Sequence, residues 1–430
     1  MDFFITKYDT DPPLGALCAV LEDSIMHKGH PVAAGSKILE GFISPIDATV
    51  VTKLEAAGVC ILGKANMDEF GTSGLFGGPR NPSGAVSAVA GGIADFALLN
   101  DYTGAASREA AALGICYIRP TYGTVSRYGL VPAAPSMDQI GIASRTPEDG
   151  FKALAIIAGH DPKDGASLPD AGHGTHGGVA SPSSAGHGTH GGAVSPSSAG
   201  RSAHGERETE RAEPGRICAA VPKCALEEAA GVALIPELGK LFRVVEIELE
   251  HKDVYAQVMQ ILCSVELSAN ISRYDGIKYG YRAGGFGDLR ELYTRSRDVF
   301  GEETKLAALL GAMVLSQENY ARYYDKAMRV RRLIKESLGF ENYDVLICPH
   351  PADPTGQGSV AGAAGTASLA GSASRASPDE ETICPALPCL LPQLCGLPAV
   401  TMPLGGGAVT LIAGFCREDL LFEAARAVGI

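Results

Sequence analysis

The chain has 430 residues, of which 46% are hydrophobic, and it carries a formal net charge of −13 without any tryptophan. This length is sufficient for a large hydrophobic core, in one α/β domain or in two smaller ones. The acidic balance argues against a general nucleic-acid-binding surface, and no apolar stretch reaches the length of a membrane span. Because Met1–Thr10 lacks a charged-then-apolar leader, we expect a soluble cytoplasmic protein.

The eleven cysteines are dispersed, mostly in apolar runs. In a chain of this length, that pattern is typical of reduced core thiols and not of a disulfide framework. Cys384, Cys389 and Cys395 are close enough in sequence to suggest a metal site, but their spacing fits no zinc pattern and no histidine is nearby. We therefore predict no metal site in this chain.

An αβ unit is predicted early in the chain. Asp47 is interpreted as the N-cap of a helix with apolar residues at helical spacing, and Gly58 as its end. The apolar run Val59–Leu62 then predicts a buried strand that leads to Lys64. Open α/β sheets bind ligands at the carboxyl ends of strands, so Lys64 is a candidate base if burial lowers its pKa. The alternative is a lysine that extends to solvent.

Strands and helices alternate along the rest of the chain. Strands are predicted within Leu14–Ile25, Ile115–Ile118, Ile217–Pro222, Phe242–Glu250, Asp344–Pro349, Leu397–Leu404 and Val409–Phe415. Helices are predicted at Ala85–Leu99, Glu109–Gly114, Thr146–Ala158, Glu227–Leu234, Tyr255–Asn270, Thr304–Leu338 and Leu420–Val428. This order predicts a single large α/β domain with a mixed, mostly parallel sheet covered by helices on both faces.

Two low-complexity inserts interrupt the pattern. Residues 171–213 contain a tandem near-copy rich in His, Gly and Ser, and residues 352–380 are rich in Gly, Ala and Ser. The repeat has too little apolar surface to offset the entropy of ordering it, so we predict that it is disordered. Residues 1–170 and 214–430 are then two parts of one core.

The predicted helix Thr304–Leu338 carries a basic face that includes Arg322, Arg329, Arg331 and Arg332. Such a stripe is compatible with contacts to RNA phosphates. A solvated helix face with cations near the helix C-terminus explains it as well, and we favour that interpretation.

Several long stretches carry a family resemblance. AGSKILEGFISPIDATVVTKLEAAGVCILGKANMDEF (Ala34–Phe70) and RPTYGTVSRYGLVPAAPSMDQIG (Arg119–Gly141) resemble the amidase-signature family. Within it they are most similar to the A subunits of the glutamyl-tRNA(Gln)/aspartyl-tRNA(Asn) amidotransferases. YDGIKYGYR, RSRDVFGEE, YDVLICP and CGLPAVTMP match the same subunits. The resemblance covers most of the chain outside the two inserts and implies the amidase-signature fold.

The resemblance also implies a Ser–Ser–Lys hydrolase. In that family a serine attacks an amide, a second serine relays its proton to a buried neutral lysine, and a glycine-rich turn binds the oxyanion. Glutamine is the implied amide, and its ammonia is used for transamidation of Glu-tRNA(Gln) in translation. The implied partners are the tRNA-binding B and the small C subunits of the amidotransferase, so charged tRNA is bound only indirectly. No cofactor is implied for this chain; ATP and Mg²⁺ are expected on the tRNA-binding partner.

Lys64 matches the base of this family, but the nucleophile does not match. The family motif DTGGSIR aligns with DYTGAASR at Asp101–Arg108. The corresponding oxyanion and nucleophile turn consists of Thr103, Gly104, Ala105 and Ala106. The nucleophile falls on Ala105 or, in a shifted match, on Ala106. Ser107 lies one or two residues further on, where a helical step of about 100° per residue points its side chain elsewhere.

Other site positions also depart from the family. Its GGSSGGS loop, which provides the relay serine, is largely missing, so Ser83 or Ser87 is the replacement available. Glu22 occupies the lysine position of a KDN motif. Arg297 matches an arginine that the family uses toward the glutamine carboxylate. The matching acidic position falls in residues 386–389 and is not acidic, and Asp379 serves only with a shifted alignment.

Three hypotheses follow. The first is an active amidotransferase subunit in which Ser107 is a relocated nucleophile and Lys64 the base. The second is a catalytically inactive paralogue that acts as a structural or regulatory partner. The third is an amidase acting on another small amide. Alanine at both nucleophile placements favours the second hypothesis for the chemistry, and similarity along the whole chain to the tRNA-linked amidotransferases argues against the third.

Overall fold

A central sheet runs through the part of the chain that the computed structural model describes, which is residues 3–72, 75–76, 83–169, 216–226, 229–278, 280–350, 387–405 and 407–429. Its strands are β1 (Phe4–Lys7), β2 (Cys18–Glu22), β3 (Cys60–Ala65), β4 (Phe96–Asn100), β5 (Cys116–Arg119), β6 (Ile140–Ser144), β7 (Cys218–Pro222), β8 (Arg243–Ile247), β9 (Val345–Pro349), β10 (Ala399–Leu404) and β11 (Gly407–Ala413). The spatial order is β1-β3-β2-β4-β6-β5-β10-β11-β9-β7-β8. The predicted inserts 171–213 and 352–380, and Asp379 with them, lie outside the described residues.

The strands are mixed in direction, so the prediction of a mostly parallel sheet is wrong. β2 is parallel to β3 and β4, and β7 is parallel to β8 and β9, but the run from β4 through β6, β5, β10 and β11 to β9 is antiparallel. Parallel neighbours need a crossover connection that is usually helical. Residues 405–406 alone join β10 to β11, and an irregular segment joins β5 to β6, so these neighbours run in opposite directions.

Helices cover both faces of the sheet, as the sequence predicts. They are α1 (Thr49–Ala56), α2 (Gly84–Ala90), α3 (Ala105–Leu113), α4 (Pro147–Ile157), α5 (Lys223–Leu226), α6 (Ala229–Leu241), α7 (Tyr255–Ile271), α8 (Leu289–Arg297), α9 (Glu302–Val314), α10 (Lys326–Glu336), α11 (Leu387–Cys395) and α12 (Glu418–Gly429). Adjacent residues Leu346 and Ile347 of β9 pack into hydrophobic clusters on opposite faces. This alternation is the reason that the strand has an uninterrupted apolar sequence.

Of the two N-cap residues predicted from the sequence, one caps its helix and the other does not. Thr146 caps α4 as predicted: its side chain accepts a hydrogen bond from the Asp149 amide (3.2 Å), and Pro147 is the first helical residue. The prediction that Asp47 caps α1 is wrong, because Ala48 precedes the helix and the Asp47 carboxylate instead accepts from the Lys28 amide (2.7 Å).

Two predicted helices are divided in the structure. The segment predicted as Ala85–Leu99 ends its helix at Ala90 and continues as strand β4, because two glycines follow and one, Gly92, has a φ of +71°. The segment predicted as Thr304–Leu338 is interrupted after α9. There the side chains of Ser316 and Asn319 donate to the Met313 carbonyl (2.8 and 3.1 Å), and such bonds compete with helix continuation.

The described residues contain free cysteines, but neither a metal-binding cluster nor a membrane-spanning helix. Ten cysteines there are free thiols, six of them buried, whereas Cys384 lies outside this set. No described group of His, Cys, Asp and Glu side chains is arranged to hold a metal ion. Among the same residues, no helix combines the length and the apolarity needed to cross a bilayer.

Candidate active site at the carboxyl ends of strands β2, β3 and β4

Three parallel strands end side by side at one edge of the sheet. β2, β3 and β4 finish at Glu22, Ala65 and Asn100, and the turn that starts α3 follows β4 directly. Ligands of α/β sheets bind at such edges. The predicted base and the predicted oxyanion turn therefore share one edge of the sheet.

Lys64 is fully buried, so the alternative of a lysine extending to solvent is wrong. It is the fifth residue of β3, which extends beyond the predicted end at Leu62, and it pairs in register with Thr6 and Leu21 on the flanking strands. Its ammonium donates a hydrogen bond to the Ile25 carbonyl. Burial lowers the pKa of Lys64 to about 8, although nearby carboxylates oppose the shift. At pH 7 a pKa of about 8 leaves roughly a tenth of the Lys64 side chains in the neutral form that a general base requires.

Two carboxylates follow at the end of β2. Glu22 is buried; its Oε2 accepts from Ser24 Oγ (2.6 Å) and from the Asn100 amide (3.0 Å), and burial raises its pKa to about 7. Asp23 accepts from the Ala33 and Gly35 amides, and burial raises its pKa while Lys64 opposes the rise. Glu22 thus connects β2 to the end of β4. Its alignment with the lysine of the family's KDN motif did not predict this role.

Gly104 forms the turn before α3 in the left-handed conformation (φ +77°). A Cβ at this position would lie 2.2 Å from the Cys389 carbonyl oxygen, so only glycine fits. Tyr102 anchors the same turn, since its hydroxyl donates to the Phe70 carbonyl (2.9 Å) in the segment after β3. The first amides of a helix have no partner within it, so Ala105 and Ala106 can offer N–H groups to an oxyanion.

Ser107 faces a different part of the sheet. Its Oγ lies 2.6 Å from Thr401 Oγ1 on β10, and Thr401 lies 2.7 Å from Thr410 Oγ1 on β11. Thr410 in turn lies 2.7 Å from His350 Nε2. All four side chains are buried, and burial, with Arg108 adding to it, lowers the pKa of His350 to about 3. We call these four residues the hydroxyl–imidazole chain.

No hydrogen bond joins Ser107 to Lys64: Ser107 contacts Thr401 on β10, and Lys64 contacts the Ile25 carbonyl. β10 is five strand spacings from β3 in the sheet order, which at the usual spacing is on the order of 20 Å. A hydrogen bond needs roughly 3 Å. The nucleophilic role of Ser107 remains a prediction, and its hydroxyl is engaged with Thr401.

The other predicted residues are dispersed. Ser83 caps α2, accepting from the Val86 amide (3.5 Å), and the next amide, that of Gly84, donates to the carbonyl of Asn66 just beyond β3. Ser87 lies within α2. Arg297 ends α8, where its guanidinium donates to the carbonyls of Ser272 (2.7 Å) and Tyr274 (3.3 Å). Their proposed roles stay predictions.

The basic face of α10 is not uniformly solvated. Arg329 and Arg332 form surface ion pairs with Asp325 and Glu336. The guanidinium of Arg331 instead donates to the Leu394 carbonyl (2.6 Å) and to Ser136 (2.8 and 2.9 Å). It therefore joins α10 to the core, which the helical pattern alone did not reveal.

The sequence profile of the amidase family matches residues 5–183 and 224–406. The chain belongs to the amidase family. One amidase relative, the A subunit of the glutamyl-tRNA(Gln) amidotransferase from Lachnoclostridium phytofermentans, is 37% identical over 358 residues, which cover 79% of this chain and 68% of the relative. The corresponding protein from a Cyanothece species is 33% identical, and the match covers 97% of this chain and 85% of the relative.

Solved amidase-fold structures agree with this assignment. The glutamyl-tRNA(Gln) amidotransferase A subunit from Thermotoga maritima superposes with a TM-score of 0.65 at 24% identity, over 99% of this chain and 86% of that one. The 6-aminohexanoate cyclic dimer hydrolase gives a TM-score of 0.66 at 18% identity, over 96% and 84%. At these identities the likeness shows the amidase fold. The resemblance read from the sequence motifs is thereby confirmed.

Proposed function

We propose that this amidase-family chain is an A-subunit-like protein of the amidotransferase type whose own serine-dependent hydrolysis of glutamine is absent. In this proposal it acts as a structural or regulatory partner of the tRNA-binding B and the small C subunits. The reaction such an assembly serves is transamidation of Glu-tRNA(Gln), with ATP and Mg²⁺ on the tRNA-binding partner. Relatives that carry the amidotransferase name, at 33–37% identity, support the first part.

One observation carries the second part. The turn that starts α3 has alanine at both nucleophile placements, and the nearest serine in sequence, Ser107, is hydrogen-bonded through its hydroxyl to Thr401. Without the nucleophile, such a site retains only the weaker contributions of binding and oxyanion donors. Lys64 is then a base without a serine to deprotonate.

Ammonia release from glutamine is the direct test of the inactive site. The purified chain, alone and with its two expected partners, would be compared with Ser107→Ala and Lys64→Ala, and with the exposed-site control Lys152→Ala. We expect no release above the buffer rate in any of these proteins. Release by the wild type and the control that is lost in both site variants would instead establish Ser107 and Lys64 as an active pair.

Assembly is tested separately. We expect the tagged chain to co-purify with the tRNA-binding partner in stoichiometric amount, whether or not ammonia is released. Failure to assemble, combined with hydrolysis of another small amide, would overturn the assignment to an amidotransferase and favour an independent amidase. The ammonia assay therefore tests the inactive site, and co-purification tests the assembly with the partner subunits.

A further inference from the structure

Two cysteines form a register pair at the edge of the sheet opposite the candidate site. Cys18 and Cys60 are the first residues of the parallel strands β2 and β3 and lie directly opposite each other. Neighbouring strands are about 4.8 Å apart, which is within the Cα separation of about 4.4–6.8 Å that a disulfide spans. Residues directly opposite each other on neighbouring strands project to the same face of a sheet, so both thiols lie on one face.

The local backbone holds this pair in position. The Cys60 amide donates to the Leu17 carbonyl (2.8 Å), and the Cys18 amide donates to Asp95 Oδ2 (2.8 Å). Asp95 is itself held by an ion pair with Arg145 (3.2 Å). These bonds fix the backbone of both residues and keep the two thiols next to each other.

Solvent access distinguishes this pair from the buried thiols; Cys224 is also partly exposed and Cys416 is exposed, but neither is paired in register with another cysteine. Six of the described cysteines are buried, whereas Cys18 and Cys60 are both partly exposed to solvent. Thiol reactivity requires access as well as a thiolate. A small disulfide oxidant can thus reach this pair while the core thiols remain protected.

We propose that Cys18 and Cys60 form a reversible intramolecular disulfide, which makes the amino ends of β2 and β3 a redox-modification site. The oxidant class is a small disulfide such as glutathione disulfide. This inference is independent of the proposed function. Lys64 lies four residues further along β3, roughly 13 Å away, so the site is separate from the candidate active site.

The exchange occurs in two balanced steps. The Cys60 thiolate attacks glutathione disulfide, forms a mixed disulfide and releases one glutathione thiolate. The Cys18 thiolate then attacks the Cys60 sulfur and releases the second. Two electrons and two protons pass from the protein thiols to yield two glutathione molecules. Burial, together with Cys60 and Asp95, raises the pKa of Cys18, which suits it to act second as the resolving thiol.

Thiol mapping in glutathione buffers tests this site. The purified full chain would be equilibrated across reduced-to-oxidised ratios, quenched in acid, alkylated with a maleimide, digested and analysed by mass spectrometry. We expect the thiols of Cys18 and Cys60 to be lost together and a cross-linked peptide pair containing both to form, with both changes reversed by dithiothreitol. Cys18→Ser should leave Cys60 with a single glutathione adduct, and the control Cys416→Ser should retain the cross-link.

Two results would overturn the proposal. One is full alkylation of Cys18 and Cys60 at ratios where the exposed Cys416 already carries glutathione. The other is a cross-link between two cysteines that persists unchanged in Cys18→Ser, which would assign the disulfide to other cysteines. Because the wild-type chain alone gives the first readout, a variant that fails to fold does not remove the test.

Discussion

Lys64 occupies a position where an ammonium is poorly solvated, and this has a thermodynamic consequence at the scale of one residue. Burial lowers its pKa to about 8 from 10.5, so between these pH values the unfolded chain binds more protons than the folded chain does. Stability must therefore rise with pH across this window. Burial of Lys64 therefore costs stability at every pH where the unfolded chain is protonated at this residue.

We predict that the wild type gains roughly 3 kcal/mol of unfolding free energy relative to Lys64→Met between pH 8 and 10.5, from the size of the pKa shift. Urea unfolding at several pH values measures this difference, with the exposed Lys152→Met as the control. Parallel pH profiles for the wild type and Lys64→Met would show that Lys64 is solvated in the folded chain.

Ser107 shows what sequence reasoning misses at this scale. The helical rotation argument predicted that its side chain points away from the nucleophile position, but its partner Thr401 lies 294 positions further along the chain. No local pattern reports such a contact. The same holds for His350 and Thr410, whose residue types suggested nothing about the hydroxyl–imidazole chain until strand register placed them together.

We predict coupling between Ser107 and Thr401 in a double-mutant cycle. Ser107→Ala removes one partner from a buried hydroxyl and should cost about 1–3 kcal/mol of stability. Adding Thr401→Val removes the hydroxyl that has lost this partner, although it still contacts Thr410, so the double variant should be more stable than the sum of the single effects implies. Chemical denaturation measures all four proteins. Additive effects would mean that the two hydroxyls do not interact.

At the scale of one element, α3 is held at its start by a backbone that only glycine accepts. Gly104 combines a positive φ with close contact to the Cys389 carbonyl oxygen in α11. At the other end, Gly114 has a similar φ of +67°, but a Cβ added there would meet nothing within 4 Å. Substitution of Gly114 therefore tests backbone strain alone, whereas substitution of Gly104 tests backbone strain together with steric overlap.

We predict that Gly114→Ala costs about 1 kcal/mol, the usual penalty of a left-handed backbone. Gly104→Ala should cost several times more, because the Cβ overlap forces α3 away from α11. Thermal and urea unfolding of the two variants provide the comparison. Equal losses would mean that the contact with Cys389 is not fixed in the folded protein.

At the scale of the whole molecule, the sequence predicted the layered arrangement of a sheet between helices better than it predicted the directions of the strands. Buried apolar runs located the central strands, and Lys64 was correctly expected at the carboxyl end of one. The sequence of a single strand does not specify its direction: the apolar run of β9 would look the same beside a parallel or an antiparallel neighbour. Direction depends on the connections between strands. The irregular segment from β5 to β6 and the short link from β10 to β11 contain no helical crossover, so each of these two pairs is antiparallel.

The sheet order also dictates when the molecule can be completed during synthesis. β5 ends the amino-terminal group of strands, and its outer neighbour is β10, with Tyr117 paired to Thr401. Until β10 leaves the ribosome, β5 presents unpaired backbone groups along an apolar strand, which is a site for aberrant association. Closing so distant a contact is entropically slow. The backbone groups of β5 on this side therefore stay available for such association until β10 has been synthesised.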